Sequence, residues 1–588
     1  MQRPQTLLAA LFLGIAFASH SGATVYQSDG SDANVQAIND TNAQDGDTIT
    51  LPAGTFIWTA GVNLTKGITV SGQTTITGAG TANCTADDQT IIIDEKLRGT
   101  AGSLFKATVP AGKSFRLTGI TFNRGTVNIV GTDGGIRVNS SGGLVQSARI
   151  DHCHFYHLAW NAMLQVSDWT YGVDDHNLFE QGDSVNHSHF ITNGSTNGQG
   201  GGNGAWADFP YYGSGKFWFM EDNTIKGTGQ TIVSGGIDCL SGGRYVARHN
   251  YWQDATPNGH GTEGGSTRGM RAVQVYNNTF NWTIPFGGSQ RSGSSIWHDN
   301  TWLGQNSPSD THTGLSYYRE YGAAGGIWGM ADGENGWDSN DPHGLYFSGT
   351  AASNTTTNGN SATFTINGTI VANAYQGMQI RNDHVGSACY LKSAAIISNT
   401  ATTITYYYYS AGDRGPPLLF NVGNEFSIRN VLIGLDQNGR GKGDLINTNT
   451  PAWPNEQQET CFSWNNKNTV TGQVLGYGNN EVPTEHEGSD YVNLGAGLPA
   501  NQIPAQVRAA YPAGVNGGYA YTHEYTYPHP LVTGGPTPTP IPSSSPTATA
   551  TATATHTFHR AGRRDQYAHA RARCARMSMT SASRRVTS

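Results

Sequence analysis

The sequence predicts an all-β fold, a right-handed parallel β-helix of stacked strand-turn coils, and three observations carry that prediction. A strand-end motif of Asn, any residue and a large apolar side chain recurs along the chain. Charged residues make up only 13% of the sequence, while Gly accounts for 77 of 588 residues, a composition suited to short strands joined by many tight turns. Finally, apolar and polar residues alternate within the candidate strands: Val273 and Val275 face one way, Gln274 and Tyr276 the other.

The motif appears as HNLF ending at Phe179, DNTI at Ile225, HNYW at Trp252, NNTF at Phe280 and DNTW at Trp302, with degenerate versions ending at Phe122 and Phe155. Successive ends lie 33, 24, 46, 27, 28 and 22 residues apart, a spacing in the range of solenoid repeats. The interval of 46 hides either a second coil or a long loop. Stacked coils bring equivalent residues to one strand spacing, roughly 4.8 Å. Asn177, Asn223, Asn250, Asn278 and Asn300 can therefore hydrogen-bond as a ladder at a tight turn, with the following aromatic stacked inside.

Stacking leaves open ends. At the N-terminal end Asp32 is expected to cap a short helix presenting Val35 and Ile38 on one face, ahead of strands at 48–51 and 55–58. Before them, Arg3, an apolar run from Leu7 to Phe17 and Ala16-Phe17-Ala18 read as a signal peptide over 1–23, so the protein is expected to be secreted. No later stretch has transmembrane length. The helix is expected over 24–344 and 429–535, interrupted at 345–428 by an inserted β-module rich in Thr and Asn. It resumes with Arg429 to Ile433, and Trp464-Asn465-Asn466 forms a further coil turn. A Pro/Thr/Ala-rich linker at 536–555 leads to a tail at 556–588 with eight Arg and one acid, expected to be disordered. The rest of the chain is acidic, at −15 of the total −8. That argues against nucleic acid as a partner. The six cysteines lie far apart without zinc spacing.

The cap, the strand-Pro-Ala-Gly-strand opening, the Asn ladder and the closing YTYPHPL at Tyr525 to Leu531 resemble the pectate-lyase-like superfamily over most of 24–532. The resemblance implies the fold and a ligand groove along the outer face of the first sheet. It does not select an activity, because that superfamily includes lyases, hydrolases, esterases, phage tailspikes and non-catalytic adhesins.

Placing the groove strand about ten residues after each ladder Asn brings His187 and His260 to equivalent positions, with His189, Asp238, Gln290 and Arg291 on the same expected face. The densest patch is NGHGTEGGSTRGMR. Glycines would expose His260 and Glu263 there as a catalytic pair, while Arg268 and Arg271 could hold a uronate carboxylate. The alternative is that Glu263 and the arginines form an ion-pair network closing a long turn. Gly259-His260-Gly261 and Asp174-Asp175 resemble polygalacturonase motifs, but they are 85 residues apart from Asp175 to His260, several coils rather than neighbours, so that mechanism does not transfer. A stripe of Asp151, Asp175, Glu221, Arg248, Tyr276 and His298 lies two residues before the ladder positions. It is expected to be a solvated face. It also resembles the calcium site and arginine base of pectate lyases, which makes calcium a candidate cofactor, though calcium wants six to eight converging oxygens. Trp206, Phe209, Tyr211 and Tyr212 lie in a Gly-rich insertion and either stack on sugar rings or fold inward.

The function expected from these residues is that of a secreted, monomeric, carbohydrate-active protein. Its partner would be an acidic polysaccharide, cleaved as a polysaccharide lyase or a glycoside hydrolase does. The alternative is a non-catalytic surface or adhesion protein.

Overall fold

Alternating burial along short strands builds this molecule. In Phe105–Pro110 the side chains of Phe105, Ala107 and Val109 point inward and their neighbours outward, and the same alternation recurs in Thr90–Asp94. The structure, a computed structural model, describes residues 22–97, 102–126, 135–158, 162–182, 187–194, 208–227, 236–261, 269–283, 288–304, 306–308, 310–315, 345–376, 378–390, 392–408, 418–429, 438–441, 457–479 and 487–534.

Among the described residues the solenoid carries parallel sheets of twelve, ten and six strands, with a three-stranded sheet continuing the last. From Phe105 to Gln253 each coil passes through the six-stranded sheet, the twelve-stranded sheet, a two-residue turn and the ten-stranded sheet. One such coil is Ala162–Asp168, Thr170–Asp175 and Leu178–Glu180. The chain is a right-handed parallel β-helix, the hand that twisted parallel strands adopt at their crossovers. Thr170–Asp175 pairs directly with Trp218–Glu221, so the 46-residue interval is one coil with a long connection from Asn193 to Trp218.

The two-residue turns carry the ladder. Asn177 Nδ2 donates to Asn223 Oδ1 at 3.0 Å, Asn250 Nδ2 to Asn278 Oδ1 at 3.0 Å, Asn278 Nδ2 to Asn300 Oδ1 at 3.0 Å and Asn300 Nδ2 to Asn466 Oδ1 at 2.8 Å. The residue before each Asn has positive φ, as at His176 (55°), His249 (57°) and Asn277 (55°). Inside, the aromatics stack: Phe155 on Phe179 at 4.5 Å and Phe280 on Trp302 at 4.6 Å.

At the N-terminal end the cap differs from expectation by one residue. Ser31 is the N-cap of helix Asp32–Thr41, accepting from the Asn34 N–H. Asp32 Oδ2 instead accepts from the N–H groups of Thr59, Ala60 and Gly61, tying the helix to the first coil. Between Leu345–Thr350 and Glu425–Arg429 the chain forms a seven-stranded antiparallel sheet with its own core around Phe364, Ile380, Tyr406 and Phe426. Arg429 ends a strand of this sheet rather than resuming the helix, and 430–433 lie outside the described residues. The next described solenoid strand, Cys461–Trp464, pairs with Ser294–His298.

Candidate functional site

Of the three long faces, two are roofed by described segments. A hairpin, Thr75–Thr77 with Thr85–Asp87, covers part of the ten-stranded sheet. Asp88 beside it bonds His154 at 2.9 Å, and the carbonyl of Thr81 accepts from Thr224 Oγ1 at 3.0 Å. After helix Ala505–Ala510 the C-terminal segment runs back along the outside of the twelve-stranded sheet. Tyr521 donates to Gln274, the Tyr525 and Thr526 carbonyls accept from Arg248 at 2.7 and 2.8 Å, and the carbonyl of Leu531 accepts from Arg149 at 3.1 Å.

This strap corrects the expectation of a solvated charge stripe. Asp151, Asp175, Glu221, Arg248, Tyr276 and His298 are all buried beneath or beside it. Their charges are mutually committed. Arg116 holds Asp151, Arg149 holds Asp175 through two bonds of 2.8 Å, and Arg248 holds Glu221 at 2.7 Å while the N–H of His529 donates to the other Glu221 oxygen. Carboxylates engaged in this way spend their oxygens on guanidinium and backbone donors, and among the described residues no group of three or more His, Cys, Asp or Glu is placed to hold a metal ion. Asp174 and Asp175 are equally enclosed. Asp174 sits in the interior with Trp218 Nε1 at 2.5 Å and Asn223 Nδ2 at 2.8 Å. Burial raises its pKa against the pull of His189.

The remaining face, the outer side of the six-stranded sheet, is crossed by no described segment. Its register sets Lys106, Arg137, Gln165, Phe190 and Asp238 in one outward row, and Thr108, Asn139, Ser167 and Thr192 in the next. Gly259 and His260 extend it. The N–H of His260 donates to the Cys239 carbonyl at 2.8 Å, and Gly259 bridges Gln290 in parallel. His260 and Arg291 therefore continue the outward side, with Asp238 on the strand adjacent to His260. The long connections also leave from the two edges of this sheet, as between Asn193 and Trp218, whereas the ladder turns stay at two residues.

The structure thus brings Asp238, His260 and Arg291 to one face, each half-buried. His187, expected on the outward face, begins the strand His187–Asn193 on the parity of Ala162 and His189, the inward one, and so falls outside the outward row of Phe190 and Thr192. Others are corrected. His189 is fully buried on the inward side, its ring 4.6 Å from Phe179, with Ser188 and Asp174 as partners. Gln290 also points inward, donating to the Ser292 carbonyl. Arg271 is no carboxylate clamp: it is wholly buried and makes a two-pronged pair with Glu459 at 2.6 and 2.8 Å. Tyr211 and Tyr212 fold inward against the strap, where the side-chain oxygen of Asn516 accepts from the Tyr212 N–H at 2.8 Å. Glu263, Arg268 and Trp206 lie outside the described residues.

No protein-family model matches the chain, and no curated protein matches it. Solved structures do. The enzymatically active domain of tailspike protein 4 of bacteriophage CBA120 matches at 11% identity and a TM-score of 0.28, covering 69% of this chain and 66% of that one, just under two thirds of its length. A tailspike protein of E. coli bacteriophage HK620, in complex with a pentasaccharide, matches at 11% identity and a TM-score of 0.26 over 68% and 89%. A third, from Acinetobacter baumannii bacteriophage Fri1 and described as a capsular polysaccharide depolymerase, matches at 11% and 0.23 over 71% and 86%. No activity is carried over at such identities and scores.

Sequence reasoning missed Asp168 and Trp169, at the end of Ala162–Asp168 where the six-stranded sheet turns toward the twelve-stranded one. Asp168 has φ +60° and is 8% exposed, and its Oδ1 has no hydrogen-bond partner. Burial raises its pKa, opposed by the Arg137 charge, the Asn139 amide and Lys106. Counting back about a dozen residues from a ladder Asn, one coil's worth of two strands, would have reached this strand as surely as counting forward reached His187.

Proposed function

We propose that the protein is a secreted carbohydrate-active β-helix that holds an acidic polysaccharide along the outer face of the six-stranded sheet and cleaves it by acid/base chemistry. The observation that supports this most directly is that no described segment roofs this face, which aligns Lys106 and Arg137 with Asp238 in one row and places His260 and Arg291 just beyond. An extended polymer matches a face whose functional groups repeat at strand spacing, and guanidiniums and ammoniums recognise its carboxylates. His260 is the proton-transferring group, with Asp238 the carboxylate on the adjacent strand.

A second reading, binding without cleavage, is favoured by one feature. Asp168 and Asp238 lie two strands and three residues apart, roughly 14 Å between Cα atoms from strand spacing and rise. That exceeds the separation at which two carboxyl groups share a glycosidic bond.

The test incubates the full chain with polygalacturonate, alginate, hyaluronan and dextran and follows new reducing ends and unsaturated-uronate absorbance. The expected result is cleavage of an acidic polymer. His260→Ala should lose about a hundredfold in turnover, and Arg291→Ala should act mainly on KM. Binding without new ends in any polymer selects the second reading. Absence of both binding and cleavage overturns the two together.

A further inference from the structure

We propose that Trp169 and Asp168 form a sugar-binding subsite at the edge of this face, Trp169 as the platform on which one uronate ring stacks and Asp168 as the group that bonds it. The proposal rests on the polysaccharide reading above and adds a place on the chain where an individual ring is held.

The fold buries its other described tryptophans almost completely: Trp58, Trp218, Trp252, Trp282, Trp302 and Trp464 are at 0% and Trp297 at 2%. Trp169 is 37% exposed, in a turn rather than inside the solenoid. It is nevertheless held in place. Its backbone N–H donates to Ser140 Oγ at 3.0 Å, its carbonyl accepts from the Val145 N–H at 2.8 Å, and its indole N–H donates to the Gly194 carbonyl at 3.2 Å on the next coil. An indole whose polar atom is already satisfied and whose ring meets solvent offers an apolar face at little entropic cost, which suits the C–H face of a pyranose.

The second observation is Asp168, adjacent in the chain. A carboxyl nine-tenths buried with one oxygen unpartnered is costly to maintain, and a non-glycine residue at φ +60° adds backbone strain. That oxygen is enclosed in this structure, so a ring hydroxyl seated against Trp169 supplies the missing partner once the carboxylate turns outward about its side-chain torsion. Arg137, whose Nη2 donates to Ser167 Oγ at 3.3 Å, and Lys106 lie in the adjoining row, so the charge of a uronate carboxylate is met on the same side.

The experiment measures binding of the same four polymers to the full chain by titration calorimetry and tryptophan fluorescence. Trp169→Ala should lose about tenfold in affinity while Trp169→Phe, which keeps an aromatic face, stays within about twofold. Trp169→Phe should also lose most of the fluorescence change seen on adding polymer. Asp168→Asn, which tolerates the positive φ, should bind about tenfold more weakly. Unchanged melting temperatures are expected in all three. Wild-type binding with undiminished affinity in Trp169→Ala overturns the subsite and leaves the polysaccharide reading standing. Binding of none of the four polymers by wild type overturns both. If Trp169→Ala fails to fold, Trp169→Phe decides, because an unchanged fluorescence response in that variant places the ring elsewhere.

Discussion

Replacing Asn250 with Ala removes the centre of the ladder and should cost about as much as any single change in the solenoid. Its Oδ1 accepts from the Asn223 N–H at 2.9 Å, and its Nδ2 donates to the Met220 carbonyl at 2.9 Å and to Asn278 Oδ1 at 3.0 Å. Asn278 Oδ1 keeps the Asn250 N–H as a donor after the change. The Asn223 N–H and the Met220 carbonyl lose their side-chain partner in a turn where Asn250 is 1% exposed. The Met220 carbonyl keeps its place in the parallel ladder, so one buried orphan at about 1–3 kcal/mol and one lost bond at about 1 kcal/mol give an expected loss of roughly 3 kcal/mol. Urea unfolding followed by circular dichroism and tryptophan fluorescence measures it. Asn281→Ala is the control, because Asn281 is half-buried and donates once, to Tyr251 OH at 2.9 Å, so it should cost about 1 kcal/mol or less. Equal losses in the two variants would refute the argument that the ladder acts through enclosed, fully committed amides.

Arg271→Ala should destabilise by about 3–5 kcal/mol, since it leaves Glu459 buried and uncompensated. Unfolding curves, with binding measured per folded molecule, should show a stability loss and no change in affinity. The strap should carry a pH dependence through His298, whose ring bonds Asp299 and Glu524 at 2.8 Å each and stacks between Tyr276 and Trp464. Burial alone would lower its pKa, but the two carboxylates raise it overall. Its contribution is therefore complete below the unfolded value of about 6.5 and is lost as pH rises through the higher folded value. Thermal unfolding across that range should show a decline for wild type and a flatter profile for His298→Gln.

Two kinds of side chain explain why the face was only partly legible. Asp238, His260 and Arg291 were found because a fixed offset from the ladder Asn finds a strand, and strand alternation then separates outward from inward. The same offset could not distinguish His187 from His189, two residues apart and therefore of equal parity, one half-buried and the other enclosed beside Phe179. For Arg271 and Tyr211 the sequence leaves two readings open for a different reason. Their partners, Glu459 and the strap around Asn516 and Tyr519, lie 188 and more than 300 residues away, beyond any local pattern.

What the sequence determined by itself is the coil. A period of 22 to 33 residues, an Asn before each inward aromatic and alternating apolar residues are local properties, and a solenoid is assembled from neighbour-to-neighbour contacts, so its fold follows from its repeat. Which face is left without a described roof was decided by tertiary structure alone. The stripe from Asp151 to His298 has the composition of a solvated surface, yet residues beyond 505 return across it and bury it. Charge on a strand specifies that a partner is needed. It does not specify whether water, an arginine on the next coil or a segment 300 residues on will be that partner, because each satisfies the same electrostatic demand.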